Sequence, residues 1–173
     1  MLKGRQIIDL LGLRPHPIEG GYFVETYRAE ESISGDRLPG SYSKTSDRSL
    51  GTAIYYLLTP ETFSEMHRLP TEEVFHFYLG GPVRMLQLDP GGNGSGREVV
   101  IGTDLLAGER PQIVVPAGVW QGSRLAPGVE FALLGATMAP GFDPADYEQG
   151  RCADLVEQYP KFADLIRTLT RFP

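Results

Sequence analysis

The sequence predicts an all-β protein with a short helix at its N-terminus and a helical segment at its C-terminus. Eight short runs are rich in β-branched and aromatic residues, and glycines and prolines separate them. Short strands spaced in this way indicate a sandwich or a barrel. The runs are YFVETYR, LGTAIYYLL, FSEMHRL, EVFHFYL, VRMLQLD, REVVIG, PQIVVPAG and VEFALLGATMAP.

Some of these runs are apolar on both faces that a strand presents. Residues 54–58 and 131–134 do not alternate between apolar and polar side chains. Such strands need a covering layer on each side. The pattern therefore favours a closed barrel, or a barrel sheet that is buried against a second subunit, and so predicts a homodimer.

The two ends of the chain carry helix signals. Residues 5–11, RQIIDLL, have apolar side chains at helical spacing, and Gly12 is a typical left-handed stop. Asp143 before Pro144 is a helix start, after which apolar residues recur at helical spacing as far as Leu169. We expect Pro160 to break or restart this second helical segment. The apolar positions of that segment are Leu155, Tyr159, Phe162, Leu165, Ile166 and Leu169.

A single domain over residues 1–173 is expected from the length of the chain and from the absence of repeats and long linkers. Within it we predict an N-terminal helix over 1–12, a β barrel over 20–140 and a C-terminal helical cap over 143–173.

The charge and hydropathy of the chain argue against two classes of binding partner, nucleic acids and membranes. The chain has 16 Lys and Arg residues against 22 Asp and Glu, a formal net charge of -6, which argues against nucleic acid as the main partner. Its apolar stretches are shorter than the roughly 20 residues that span a bilayer. The N-terminus lacks a signal-type apolar core and cleavage site. We expect a cytoplasmic protein with no membrane partner.

The glycine-rich stretch GGNGSGRE, residues 91–98, invites comparison with a nucleotide-binding loop. A phosphate cradle needs a helix after the loop, so that backbone amides face the anion. Here the loop leads into the β-type run REVVIG. We interpret it as a hairpin loop.

The stretch HRLPTEEVFH, residues 67–76, holds two of the three histidines and two adjacent carboxylates. We interpret it as the end of one strand, a turn at Pro70 and the start of a second strand. His67 and Glu73 then lie on facing arms of a hairpin and are able to meet across it.

Strand alternation divides the second arm into two faces. Glu73 shares a face with Phe75 and Phe77, while His76 points the other way. If Glu73 faces a barrel interior, burial raises its pKa and a neighbouring imidazole opposes that shift. Functional pockets combine these features, whereas the alternative is that polar residues near a strand end face water.

Two motifs carry a resemblance to a known superfamily. HRLPTEEVFHFYLGG resembles the first conserved cupin motif, with His67, Glu73 and Gly80 in the places of its first histidine, its glutamate and its closing glycine. VPAGVWQ is similar to the second motif, including its Pro-x-Gly, but Gln121 stands where that motif has a histidine.

From LGLRPHPIEGGYFVETYR to LTR, the chain resembles the cupin subgroup called DUF985 or cupin_5. The resemblance implies a double-stranded β-helix, or jelly-roll barrel, with a small-molecule pocket inside one end. It also implies pairing as a homodimer. It supplies no activity, because one fold hosts many functions.

The metal set that the resemblance implies is incomplete. Leu69 occupies the position of the second motif histidine and Gln121 that of the third, so only His67 and Glu73 remain of three histidines and one glutamate. Catalytic zinc and iron sites usually have at least three protein ligands. A divalent metal held by His67, Glu73 and Gln121 is an open alternative, and no other cofactor is expected.

The two other histidines are candidates for recruitment to the pocket. His16 lies between two prolines, and we interpret it as part of a rigid turn with an exposed imidazole; the alternative is that it closes over the pocket mouth. His76 is expected to pack in an intersheet or subunit layer.

The leading hypothesis for function is a metal-independent enzyme of isomerase or epimerase type. His67 would move a proton, Glu73 would fix the imidazole tautomer, and Gln121 would hydrogen-bond a substrate oxygen. This resembles the logic of metal-independent cupins that epimerise keto-sugar nucleotides. The alternatives are a non-catalytic binding or sensor protein and a weakly metallated enzyme.

Aromatic side chains are candidates for the wall of the ligand site. Phe75 and Phe77 share a face with Glu73, and Trp120 and Tyr22 lie near the matched motifs in the sequence. Such rings provide an apolar or stacking surface for a ligand. The alternative is that each ring is part of the hydrophobic core, and that Trp120 points outward beside Gln121.

Overall fold

The computed structural model describes residues 2–40, 42, 44, 46–91 and 94–171. Met1, Phe172 and Pro173, which belong to the predicted terminal segments, lie outside the described residues, as do two positions of the loop 91–98. Helix α1 (Gly4–Leu11) opens the chain and ends at Gly12, whose φ of 65° is left-handed, as predicted.

Thirteen described strands follow, and all their ladders are antiparallel. Six form one sheet in the order β1-β2-β5-β12-β7-β10, five form a second in the order β13-β6-β11-β8-β9, and β3 pairs with β4. The strands are β1 (Arg14–Pro15), β2 (Tyr22–Arg28), β3 (Ser32–Ile33), β4 (Arg48–Ser49), β5 (Thr52–Leu58), β6 (Ser64–Arg68), β7 (Glu73–Gly80), β8 (Val83–Leu88), β9 (Gly96–Ile101), β10 (Gln112–Val115), β11 (Trp120–Leu125), β12 (Ala132–Met138) and β13 (Glu148–Gln149).

The all-β prediction is confirmed, and the two large sheets form a sandwich. Their hydrogen-bonded ladders do not join into a closed barrel within the described residues. The sheets pack through inward-facing apolar side chains. The cluster between them is built from Tyr56, Leu58, Phe75, Val83, Met85, Ile101, Val115, Val119, Leu125, Ala132, Leu134 and Ala136.

Helices cover part of the outer face of each sheet, which explains the strands that are apolar on both sides. Helix α1 packs on the six-stranded sheet, where Ile7 contacts a cluster that includes Leu57 and Leu133. Helices α2 (Cys152–Gln158) and α3 (Ala163–Thr168) cover the five-stranded sheet, with Leu155 and Ile166 in its outer cluster. The covering layers therefore come from this chain itself over much of both faces. No helix of the described residues has the length and apolar character needed to cross a membrane.

The C-terminal segment is less helical than predicted. Asp143 caps a short 3₁₀ turn, Pro144–Asp146, by accepting a hydrogen bond from the Ala145 backbone N–H. Strand β13 follows directly and pairs with β6. Pro160 begins a further 3₁₀ turn between α2 and α3, so the predicted interruption at that residue is confirmed.

Strand β11 was absent from the predicted runs because its sequence, WQGSRL, has few β-favouring residues. Its glycine has a packing role in the structure. A Cβ on Gly122 would come within 2.7 Å of the Met66 sulfur, so a larger residue there would displace the Met66 side chain between β11 and β6. Strand β11 is the middle strand of the five-stranded sheet, and the matched VPAGVWQ stretch leads directly into it.

Candidate functional site

A row of polar side chains crosses the inner face of the five-stranded sheet. His67 on β6 is the cross-strand partner of Gln121 on β11, and Gln121 is in turn the partner of Gln87 on β8. All three residues are buried, with only 1–2% of their surface exposed. Directly opposed residues in a sheet share a face. The register therefore places the two motif positions side by side inside the sandwich.

Glu73 reaches this row from the other sheet. It begins β7 in the six-stranded sheet and accepts a hydrogen bond from Gln121 Nε2 to Oε2 at 2.7 Å. The predicted hairpin between His67 and Glu73 is wrong, because residues 69–72 pass from one sheet to the other. The two residues instead flank Gln121 from opposite walls of the sandwich.

Glu73 is held in its neutral form at neutral pH. Burial raises its pKa, the nearby Glu19 carboxylate raises it further, and the hydrogen bond from Gln121 opposes the shift, with the net result a pKa of about 8. A carboxyl group in this state is able to donate a proton or a hydrogen bond. Such a group is typical of functional pockets.

The backbone next to His67 defines its tautomer. Its Nδ1 lies 2.7 Å from the carbonyl oxygen of Glu65, which can only accept, so Nδ1 carries the proton. The lone pair is then on Nε2. Tyr147 stacks on the imidazole, with ring centroids 4.9 Å apart and planes at 19°. The predicted role of Glu73 in fixing this tautomer therefore belongs to the Glu65 carbonyl.

The turn between β1 and β2 brings His16 to the same site. Its Nδ1 accepts a hydrogen bond from the Glu19 backbone N–H at 2.9 Å, which holds the ring in place. Burial lowers the pKa of His16, the Glu19 carboxylate opposes this, and the charges of His67 and Arg171 lower it further. The interpretation of His16 as an exposed imidazole is wrong, since its half-buried ring lies close enough to His67 for their charges to interact.

Glu19 is one of the site residues that the motifs did not reveal. Its carboxylate accepts a short hydrogen bond from the Ser64 hydroxyl, and the Tyr56 hydroxyl donates to the carbonyl oxygen of Gly20 at 2.8 Å. Gly21 has a φ of 69°, and a Cβ there would come within 2.9 Å of the Tyr56 hydroxyl oxygen. The paired glycines directly after an acid were the available signal, because such a turn places the acid against the strands behind it.

The four predicted aromatic wall residues lie in different layers. Phe75 is buried between the sheets, and Phe77 packs against the same cluster. Trp120 belongs to the outer cluster beneath α2 and α3, with the Arg68 guanidinium 4.5 Å from its ring centroid. Tyr22 packs in the cluster beneath α1. The expectation that Trp120 and Tyr22 line the pocket is corrected, because both side chains point to outer faces.

His76 lies on the outer face of the six-stranded sheet, away from Glu73, as alternation predicted. Its Nε2 is 3.0 Å from the Thr137 hydroxyl, and its ring stacks on Tyr78. It therefore takes no part in the inner polar row.

The donor set does not fit a divalent metal. Within the part of the chain that the structure describes, no three His, Cys, Asp or Glu side chains are grouped to hold one. Leu69 is a buried apolar residue, and Gln121 directs its amide N–H, rather than its oxygen, at Glu73. The alternative of a metal held by His67, Glu73 and Gln121 therefore has no support in the geometry.

A groove of about 710 Å³ lies elsewhere, on the outer face of the five-stranded sheet. It is bordered by the β5–β6 loop, by α3 and by an Arg84–Glu98 ion pair. None of the inner polar side chains lines it. We assign the candidate site to the inner row, because the titratable and hydrogen-bonding groups converge there.

The fold and this polar interior define an antiparallel jelly-roll sandwich of the cupin class. The chain belongs to the Cupin_5 family of the cupin superfamily, DUF985, whose model matches residues 5–150. The resemblance seen in the sequence is thereby confirmed.

Similar proteins occur in several organisms. The chain is 32% identical over 135 residues to the uncharacterized protein YML079W of Saccharomyces cerevisiae, a match that covers 75% of this chain and 66% of the yeast protein. The solved structure of protein SO0799 from Shewanella oneidensis has a TM-score of 0.85 at 31% identity and covers both chains completely. A hypothetical protein from Leishmania major has the same TM-score at 29% identity, over 99% of this chain and 100% of that one.

More distant structures share the fold alone. A cupin 2 conserved barrel domain protein from Rhodopseudomonas palustris has a TM-score of 0.55 at 12% identity, over 90% of this chain and 83% of that one. Oxalate decarboxylase from Bacillus subtilis has a TM-score of 0.53 at 16% identity, over 93% of this chain and 38% of that chain. At this identity neither protein assigns a reaction to the site.

Proposed function

We propose that the protein binds a small polar molecule between its sheets and isomerises or epimerises it by moving a proton next to a carbonyl group. The observation that carries this proposal is the pairing of a neutral carboxyl group with a basic imidazole nitrogen. Glu73 keeps its proton up to a pH of about 8, and His67 presents Nε2 as a lone pair. A neutral carboxyl group and an imidazole lone pair are the acid and the base that such a proton transfer requires.

His67 is the base in this proposal. Nε2 removes a proton from the carbon next to the substrate carbonyl, and the imidazolium that forms is stabilised by the Glu65 carbonyl at Nδ1. The stacked ring of Tyr147 limits the orientations that the imidazole can adopt.

Glu73 is the acid. Gln121 holds its Oε2, so the second oxygen is left to share its proton with the substrate oxygen while negative charge develops there. In an isomerisation, His67 returns its proton to the neighbouring carbon and a hydroxyl of the enediol returns a proton to Glu73, which restores both groups. In an epimerisation, the proton must instead reach the opposite face of the same carbon. No metal is needed for this sequence of steps.

Replacement of His67 tests the proposal. A ligand that accompanies the purified protein is identified by native mass spectrometry, and its conversion is then followed with wild-type protein and with His67→Gln. Because a positioned base contributes roughly 10²-fold or more to the rate, we expect His67→Gln to lower turnover by at least that factor.

His76→Gln is the matched control, since this histidine lies on the outer face of the six-stranded sheet. It should retain turnover within about twofold, in the range expected when no catalytic group is lost. If wild-type protein binds the ligand but never converts it, the enzyme proposal is wrong and the protein is a binding or sensor protein.

We also propose that the protein is a homodimer that pairs through the outer face of the six-stranded sheet. Helix α1 covers only part of this face, and large apolar side chains remain exposed on it: Tyr78 at 46%, Val114 at 44% and Tyr27 at 57%. Exposed apolar side chains on one face of a sheet are typical of protein–protein contact surfaces. A self-complementary contact between two copies would bury them.

Sedimentation at micromolar concentration tests the dimer. We expect a mass twice the 19.0 kDa of one chain, and the monomer mass for Tyr78→Glu, because the substitution places a charge in the interface. Leu106→Glu is the control, since Leu106 is fully exposed in the loop after β9. A wild-type mass equal to one chain would refute the proposal.

A further inference from the structure

The inner site contains more hydrogen-bond acceptors than it satisfies. Glu65 is 1% exposed and Ser123 is 0% exposed. Glu65 Oε2 and Ser123 Oγ nevertheless have no hydrogen-bond partner among the described residues. The hydroxyl of Tyr147 is buried and unpartnered as well. Buried polar atoms are nearly always paired, so each of these atoms indicates a missing partner.

These atoms belong to residues on segments that neighbour His67. Ser123 is two residues along β11 from Gln121 and is paired across the sheet with Ser64, on the inner face. Tyr147 stacks on His67, while Glu65 supplies the carbonyl that His67 contacts. We therefore expect one ligand beside His67 to supply the hydrogen bonds that these three atoms lack.

Two carboxylates, one neutral carboxyl group and one guanidinium lie near the Tyr147 hydroxyl. Burial raises the pKa of the Tyr147 hydroxyl, and the carboxyl groups of Glu19, Glu65 and Glu73 raise it further, so all three lie near the same phenol. The Arg171 guanidinium lowers the pKa of the same hydroxyl. Three carboxyl groups thus face one guanidinium around the stacked rings.

That guanidinium is already engaged. Arg171 donates to the carbonyl oxygens of Ile18 and Glu19, and its Nη1 lies 3.6 Å from Glu65 Oε2. Arg68 is adjacent in sequence to His67 but lies on the outer face, where it binds Glu148 in a bidentate pair. Both of these guanidinium groups therefore already have partners in the protein.

We propose that the ligand of this site is an uncharged or ammonium-bearing polyhydroxy compound, with no phosphate or carboxylate group at its bound end. The inference rests on the proposed function, since it names the substrate class of the same site. Hydroxyl groups both donate and accept, which matches the two unpartnered protein hydroxyls. They would also donate to Glu65 Oε2, which has an ion pair with Arg171 but no hydrogen bond. A buried phosphate or carboxylate would instead meet the carboxylates of Glu19 and Glu65, while the nearby Arg171 guanidinium is already engaged by Glu65 and by two carbonyl oxygens.

The experiment compares probes that share a six-carbon polyhydroxy skeleton and differ in charge. Binding of glucose, glucosamine, gluconate and glucose 6-phosphate is measured by ligand-observed NMR at concentrations up to about 10 mM, which detects millimolar affinities. We expect glucose or glucosamine to bind at least tenfold more tightly than either anion. Equal or tighter binding of an anion overturns the proposal, and so does the failure of every probe to bind.

Glu65→Gln provides the matched variant. Its amide oxygen can still accept from the Arg171 backbone N–H, as Glu65 Oε1 does at 2.9 Å, while the negative charge is removed. We expect the preference for glucosamine over glucose 6-phosphate to fall by about tenfold, in the range of a lost charge-assisted contact. Glu98→Gln, on the outer face beside Arg84, should leave the preference unchanged. An unchanged preference in Glu65→Gln contradicts the proposal.

Failure of this inference is distinguishable from failure of the proposed function. If a co-purified ligand proves to be anionic and its conversion still depends on His67, the ligand class is wrong and the acid–base function stands. If a polyhydroxy ligand binds but is never converted, the ligand class stands and the enzymatic function is wrong.

Discussion

Glu73→Gln should make the protein progressively more stable than wild type as the pH rises from about 5 to about 9. In the unfolded chain Glu73 loses its proton near its usual pKa of 4.5, whereas in the folded protein it keeps the proton until about pH 8. Between these values the folded state binds more protons than the unfolded state, so the wild-type free energy of unfolding falls as pH increases. Glutamine has the same shape and does not ionise.

The size of this effect follows from the pKa difference. Each unit of pKa shift corresponds to about 1.4 kcal/mol, so we expect a change on the order of a few kcal/mol in the relative stability of the two proteins. Urea unfolding at several pH values measures it. Parallel stability curves for wild type and Glu73→Gln would contradict the prediction, and Glu72→Gln, at an exposed position of the preceding turn, is the control.

The second large effect is expected at Arg48, whose side chain is only 1% exposed. Its Nε and Nη2 each donate to one oxygen of Asp146 at 2.7 Å, and Nη1 donates to the Ser46 carbonyl at 2.7 Å. In Arg48→Met the Asp146 carboxylate, 4% exposed, loses its bidentate partner. Breaking a buried pair in this way costs about 3–5 kcal/mol, which denaturant unfolding can measure.

Arg84→Met is the matched control for Arg48→Met. Arg84 also makes a two-pronged contact with a carboxylate, that of Glu98, but these side chains are 44% and 26% exposed. Exposed pairs contribute at most about 1 kcal/mol. A loss in Arg48→Met no larger than that in Arg84→Met would show that the buried pair is not a major source of stability.

The Arg48 pair also bears on the site. Asp146 directly precedes Tyr147, which stacks on the imidazole of His67. The bidentate contact therefore fixes the backbone that delivers Tyr147 to the site. Arg48 lies far from Asp146 in the sequence, and neither motif of the family includes either residue.

Local signals in the sequence predicted the elements well. Apolar spacing and Gly12 located helix α1, and eight β-rich runs each correspond to one of the longer strands. Alternation along β7 correctly separated Glu73 and Phe75 from His76. These features depend on neighbours within a few residues along the chain, so a pattern in the sequence is enough to reveal them.

The site depended on contacts between distant segments. Alternation says which side chains share a face, but it does not say which sheet a strand joins, and so His67 and Glu73 were wrongly placed on one hairpin. Nor does it say what covers a face, and so Trp120 and Tyr22 were assigned to the pocket although helices cover them.

The sequence by itself determined the family, the β-rich fold, the end helices and the incomplete metal set marked by Leu69 and Gln121. Only the tertiary structure decided that Glu73 meets Gln121 across the sandwich and that Glu19 and Tyr147 join His67. The physical reason is that burial and the electrostatic coupling of carboxyl groups depend on distances through space. Those distances are set by how two sheets, a turn and a C-terminal strand pack together.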